Sequence, residues 1–165
     1  MQFDFIKHNK ITENLIYKIS KLKMQHWSYP IEEQINWFKK NIKEEDVHLL
    51  LYIENELIGY LLISEINVKS EKRIEKYLGI RNVCVSITNR KSQTGYLLMQ
   101  LASYYFKLQK IGGILLCDDS ILNFYLKCNW LLFKGRKIIN NKEYTNQILT
   151  SEKFVDKTIE LDELF

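Results

Sequence analysis

The 165-residue chain has little proline, little glycine and little cysteine: one, six and three residues respectively. With so few breakers, no Ser/Gly-rich linker, low-complexity window or internal repeat divides the sequence, and a single domain over residues 1–165 is expected. Hydrophobic residues make up 46% of it, enough to bury a core without covalent staples. Cys84, Cys117 and Cys128 are odd in number, lie in apolar segments and lack zinc-ligand or redox spacing, so they read as reduced, buried thiols. His8, His26 and His48 share no ligand spacing either, and no metal is expected. No apolar run approaches membrane-spanning length, and Met1-Gln2-Phe3-Asp4-Phe5 lacks the features of a signal peptide, which points to the cytoplasm and away from a membrane. The net charge of +4 comes from interleaved Lys and Glu without a basic stripe, which argues against a nucleic-acid surface.

Periodicity supplies the elements. Gln2–Lys7 reads as a first strand. Thr12 can cap a helix burying Leu15, Ile16, Ile19 and Leu22 with lysines opposite, and a break follows at residues 25–30. A second helix is expected over Pro30–Asn41, with Ile31, Ile35, Phe38 and Ile42 inward. Val47–Ile53 and Leu57–Val68 read as a hairpin about a short polar turn, residues 69–76 as a loop, and Leu78–Ile87 as the central strand. A helix over Gln93–Gln109 is followed by a short apolar strand, Ile114–Cys117. Asp118, Asp119 and Ser120 offer caps for a helix over Ile121–Cys128, and short strands at 130–134, 137–139 and 144–150 close the pattern. The tail from Ser151 is charged, with its acidic run Glu160-Leu161-Asp162-Glu163 read as solvent-facing, and its conformation is left open. This order describes a mixed α/β sheet with helices on its faces.

The most informative stretch is Val83-Cys84-Val85-Ser86-Ile87-Thr88-Asn89-Arg90-Lys91-Ser92-Gln93-Thr94-Gly95-Tyr96. A β-branched run stops, a basic polar loop follows, and a helical pattern starts at once. A helix N-terminus carries free N–H groups and partial positive charge, so with Arg90 and Lys91 beside it the loop is a seat for an anion such as a pyrophosphate.

Three patterns in this chain resemble the GNAT superfamily of N-acetyltransferases. That family follows a V-x-V strand with R/Q-x-x-G-x-G/A and a helical leucine; Val83, Val85, Arg90, Gly95 and Leu98 fill those places, and Gln93 stands where the family prefers glycine. Its later Y-x-x-x-G-F run is matched by Tyr125 with Asn129-Trp130, where Asn tolerates the left-handed backbone of a glycine C-cap. Gly59-Tyr60 on the long strand matches a looser I-G-x. Leu116-Cys117, Phe124-Tyr125 and Trp130 are also loosely similar to the aminoglycoside 2'-N-acetyltransferase branch.

The resemblance implies a mostly antiparallel sheet of six to seven strands flanked by about four helices and splayed between its fourth and fifth strands. It implies an acetyl-CoA-dependent acyltransferase, without a metal, moving an acetyl group directly to a primary amine of a small molecule such as an amino sugar or an aminoglycoside. Backbone at Val83, Cys84 and Val85 would hold the acetyl and pantetheine groups, and the loop Arg90, Lys91, Ser92, Gln93, Thr94, Gly95 and Tyr96 the pyrophosphate. Tyr125 corresponds to the general acid, since a phenol is protonated at neutral pH. The base stays open among Glu65, His48, Asp118, Asp119 and a water chain. His26, Trp27, Tyr29 and Asp118 are the candidate acceptor contacts. A non-catalytic coenzyme A-binding or protein-interaction module of the same fold, motivated by Gln93, and a protein amine acetyltransferase are the alternative readings; a homodimer is compatible with any of them.

Overall fold

A computed structural model describes residues 1–162 and Leu164. In chain order the elements are β1 (Gln2–Lys7), α1 (Glu13–Met24), α2 (Ile31–Asn41), β2 (Val47–Ile53), β3 (Glu56–Lys69), β4 (Ile74–Val85), α3 (Thr94–Gln109), β5 (Gly113–Cys117), α4 (Asp119–Lys127), β6 (Leu131–Leu132), β7 (Arg136–Ile139), β8 (Lys142–Glu143), β9 (Gln147–Thr150) and β10 (Thr158–Leu161). Single 3-10 turns occupy His8–Lys10 and Ile87–Asn89. The chain forms two compact units, Met1–Ser64 with Asn82–Met99, and Glu65–Arg81 with the chain from Gln100 onward.

In the first unit β1, β2 and the first part of β3 make an antiparallel sheet, with Gln2 opposite Tyr52 and Val47 opposite Ile63. Glu54 and Asn55 both take positive φ, 47° and 69°, the signature of a two-residue type I′ turn whose twist suits a hairpin. Thr12 caps α1 by accepting from the Leu15 N–H at 3.3 Å. Helices α1 and α2 bury Ile19, Leu22, Phe38 and Ile42 against Leu50, Tyr60, Leu62 and Cys84. The α1 stripe carries one residue that its lysine-rich outer face conceals: Lys23, one turn beyond Ile19, is only 4% exposed.

The second unit has the strand order β6-β9-β5-β4-β3-β10-β7-β8. The β4–β5 ladder is parallel and covers Leu78–Ile80 with Gly113–Leu115, and β4 itself continues to Val85. Several boundaries differ from the sequence expectation. The region read as a loop at 69–76 contributes to both flanking strands, which pair through a tight turn at Ser70–Arg73. The expected strand at 144–150 is shorter, beginning at Gln147 after Asn146 turns its amide to Asp118 at 2.7 Å, and Lys142-Glu143 of the expected turn forms the separate short strand β8. The tail folds as β10, with Ile159 and Leu161 buried, parallel to β7 and antiparallel to β3 at Lys69. The acidic run is accordingly not all solvent-facing; Asp162 reaches Lys69 at 2.5 Å, and Glu163 lies outside the described residues. Among the described residues ten strand segments, β6 and β8 being two-residue pairings, form the expected mostly antiparallel sheet, with four α-helices.

Candidate active site

The loop from β4 to α3 is built from backbone conformations. Cys84 points into the first unit's core and is 2% exposed, so alternation along the strand turns Val83 and Val85 to the other face. Burial pushes the Cys84 thiol up to about 12, opposed by the Lys23 and Arg90 charges; it is an inert, neutral packing group. The Ser86 N–H donates to the Ile58 carbonyl at 2.8 Å, and the Asn89 side-chain amide donates to Ser86 Oγ at 2.9 Å. These contacts fix the 3-10 turn that redirects the chain. Ser92 Oγ donates to the Asn89 carbonyl at 2.6 Å and lies 2.7 Å from Thr94 Oγ1. Lys91 and Gln93 take φ of 69° and 61°, the left-handed region. Gln93 therefore keeps the backbone conformation for which glycine is preferred, and its side chain is exposed. The first helical bond of α3 runs from the Leu97 N–H to the Gln93 carbonyl, which leaves the N–H groups of the first turn without an intrahelical acceptor. Alternating left-handed residues before a helix start form a concave, anion-binding main chain. The residues present fit a coenzyme A pyrophosphate.

The link between α1 and α2 is stitched to this loop. Gln25 Oε1 accepts from the Ile87 N–H at 2.8 Å. His26 Nε2 lies 2.7 Å from the Val85 carbonyl and must donate to it, so Nδ1 is the lone-pair nitrogen that accepts from Arg90 Nη2 at 2.9 Å. A 3.4 Å approach of the same guanidinium to Nε2 is geometrically secondary, because that nitrogen already carries the donated proton. His26 is held below its usual pKa first by desolvation and further by Arg90, against the bond to Val85, which favours the neutral ring this tautomer needs. His26, an expected acceptor contact, holds Arg90 beside the strand end and bonds one of the carbonyls assigned to the pantetheine arm. No local pattern signals a bond between residues 59 apart.

Trp27 and Tyr29 line a cavity of about 420 Å³ with Lys23, Glu33, Trp37 and Asn82. Lys23 Nζ sits 4.2 Å from the Trp37 ring centroid and 5.9 Å from that of Trp27, within cation–π range. Asn82, at φ 57°, has a buried amide nitrogen with no hydrogen-bond partner among the described residues. Helical spacing from Ile19 was the available signal for Lys23; nothing in the sequence marked Asn82.

In the second unit Tyr125 lies on α4, 6% exposed. Burial raises its pKa above the ordinary phenol value, and Cys117 and Cys128 push in the same direction, so it is protonated throughout the physiological range. Both neighbouring thiols are themselves pushed up to about 11 by burial, with Asp118 and Asp119 adding to the effect at Cys117. α4 ends with Asn129 at φ 65° and the Trp130 N–H donating to the Tyr125 carbonyl at 3.1 Å, the left-handed cap expected of Asn in a glycine place. Asp118 sits at the N-cap of α4 without a side-chain capping bond, and Asp119 is the first helical residue. Their carboxylates accept from Asn146 and Gln147, each at 2.7 Å, because the partners brought by β9 compete with the local N–H groups.

The base candidates separate clearly. Glu65 is exposed and paired with Lys76 at 2.7 Å. His48 is fully buried, with Nε2 3.0 Å from His8 Nδ1 and Nδ1 3.0 Å from Tyr60 Oη, so both ring nitrogens are engaged within the core. Burial, then the His8 and Lys23 charges, lower its pKa to about 3. Among the described residues no cluster of three or more His, Cys, Asp or Glu could hold a metal, and no helix is long and apolar enough to cross a membrane.

The architecture is the GNAT N-acetyltransferase fold, seen in solved structures of low identity. ElaA from Escherichia coli matches with a TM-score of 0.64 at 18% identity, over 90% of this chain and 97% of its own. An acyl-CoA N-acyltransferase from Pseudomonas aeruginosa matches at 0.66 and 13%, over 92% and 99%. An aminoglycoside 6'-N-acetyltransferase complexed with coenzyme A matches at 0.64 and 14%, over 94% and 100%. No protein-family model and no curated protein sequence matches the chain.

Proposed function

We propose that the protein is an acetyl-CoA-dependent N-acetyltransferase that moves an acetyl group directly to a primary amine of a small molecule. The observation that carries this reading is the β4–α3 loop: a strand running past its ladder, left-handed residues at 91 and 93, an open helix N-terminus and Arg90 held in place by His26, on a fold whose solved members include coenzyme A complexes. Acetyl-CoA supplies the activated thioester. Arg90, Lys91 and the N–H groups of residues 91–96 bind the pyrophosphate, and backbone at Val83 and Cys84, beyond the β4–β5 ladder, orients the pantetheine and acetyl groups. Tyr125 holds a proton at Oη and delivers it to the departing thiolate. No buried carboxylate offers itself as base among the candidates, so amine deprotonation is assigned to ordered water. Gln93 favours the enzyme over the coenzyme A-sensing alternative, since its backbone retains the glycine-like turn.

Calorimetric titration with acetyl-CoA, followed by a thiol-release assay across a panel of amines, tests the proposal. Micromolar to sub-millimolar binding with amine-dependent thiol release is expected; no binding at millimolar cofactor would overturn it.

A further inference from the structure

Three side chains of the first unit form a hydrogen-bonded chain that runs from a surface turn into the core. His8, half-buried on the 3-10 turn after β1, places Nδ1 3.0 Å from Nε2 of His48 on β2, and His48 Nδ1 lies 3.0 Å from Tyr60 Oη on β3. His48 and Tyr60 are fully buried, their rings stacked at 5.8 Å, and Phe38 of α2 stacks on His48 at 6.0 Å. A neutral imidazole has one N–H donor and one lone-pair nitrogen, so each bond in the chain sets the direction of the next. With His8 neutral, the favoured order has Tyr60 donating to His48 Nδ1 and His48 Nε2 donating to His8 Nδ1. A phenol is a stronger donor than an imidazole N–H, and both rings then carry their proton on Nε2, the more stable site in a free imidazole. A protonated His8 has only donors, and its Nδ1–H requires the lone pair of His48 at Nε2.

We infer that the chain is a tautomer relay: proton uptake by His8 moves the single proton of neutral His48 from Nε2 to Nδ1 and turns Tyr60 Oη from donor into acceptor inside the core. The net change is one proton gained from water, which resides on His8. His48 keeps its charge of zero, and Tyr60 keeps its proton, aimed away from His48. The groups facing the chain favour this distribution. Desolvation lowers the His8 pKa, against the Asp46 and Glu44 carboxylates on the link before β2, which favour its cation; burial, then the charges of His8 and of Lys23 on α1, hold His48 down to about 3. Tyr60 shares its buried cluster with Cys84, so the relay joins a surface turn to the core against which β4 packs.

Two-bond 1H–15N correlation spectra of the full-length protein carrying 15N-labelled histidine, recorded from about pH 8 to about pH 4, read the proton on each ring nitrogen, with His26 assigned by its loss in His26→Leu. His48 should pass from the Nε2–H to the Nδ1–H pattern with the midpoint of His8 and stay neutral while it does so. Tyr60→Phe, which removes the acceptor for that Nδ1–H, should lower the His8 midpoint by about half a unit to one unit. His8→Phe should hold His48 in one tautomer across the range. The wild-type spectra decide the matter even where a variant fails to fold. A His48 that keeps its tautomer while His8 titrates, that charges together with His8, or that carries its proton on Nδ1 from the start would overturn the inference. An unchanged His8 midpoint in a folded Tyr60→Phe, or acid unfolding of the wild type before His8 titrates, would overturn it too.

Discussion

The two compact units carry function in different currencies. In the first, binding capacity resides in main-chain geometry: left-handed residues 91 and 93, an open helix start, and side chains such as His26 whose task is to hold other groups still. In the second, the proposed chemistry rests on a single buried hydroxyl, Tyr125, whose environment keeps it protonated. Substitutions in the first unit should therefore move affinity, and those at Tyr125 should move turnover.

The sharpest break between the two would come at Tyr125. Tyr125→Phe should lower kcat about 100-fold or more while leaving acetyl-CoA affinity unchanged by calorimetry. Next in size is a pH effect confined to the first unit. The folded-state pKa of His48, about 3, lies below its unfolded value of about 6.5, so the unfolded chain takes up the proton first. Stability from the neutral, buried ring is complete above pH ~6.5 and is lost as pH falls from there toward 3, by an amount on the order of a few kcal/mol. Denaturant melts between pH 7 and 4 measure it, and His48→Gln should flatten the slope.

Packing in the second unit should show no such pH dependence. A Cβ at Gly113 would come within 2.3 Å of the Phe106 ring and 2.9 Å of Trp130. Gly113→Ala should cost about 1–3 kcal/mol at every pH in the same melts. The smallest effect is expected at His26. Replacing it with Leu frees Arg90 without removing it, and acetyl-CoA affinity should fall about threefold to tenfold with kcat little changed.

What was legible in the sequence follows the same division by range. The strand, basic loop and helix start at 83–96 are contiguous, so their order alone suggested an anion seat, and Tyr125 with Asn129-Trp130 formed a recognisable local run. Asn129 could be placed in a left-handed cap because the requirement is that of one residue. The partners of His26, Asp118 and Asp119 were not legible, since each lies far along the chain: Val85 and Arg90 for His26, Asn146 and Gln147 for the two aspartates. The tail was opaque for a related reason. A four-residue strand such as β10 has too few residues for periodicity, and its identity comes from pairing with β7 and β3. Lys23 was legible in principle by its spacing from Ile19, but its charge masked it among exposed lysines.

The central claim, that the β4–α3 loop seats the coenzyme A pyrophosphate, is tested most directly by titrating acetyl-CoA into the wild-type protein and into Arg90→Ala. The account predicts measurable wild-type binding that weakens about tenfold to a hundredfold in the variant, the loss of charge-assisted bonds to phosphate. Equal affinity of the two proteins would contradict it.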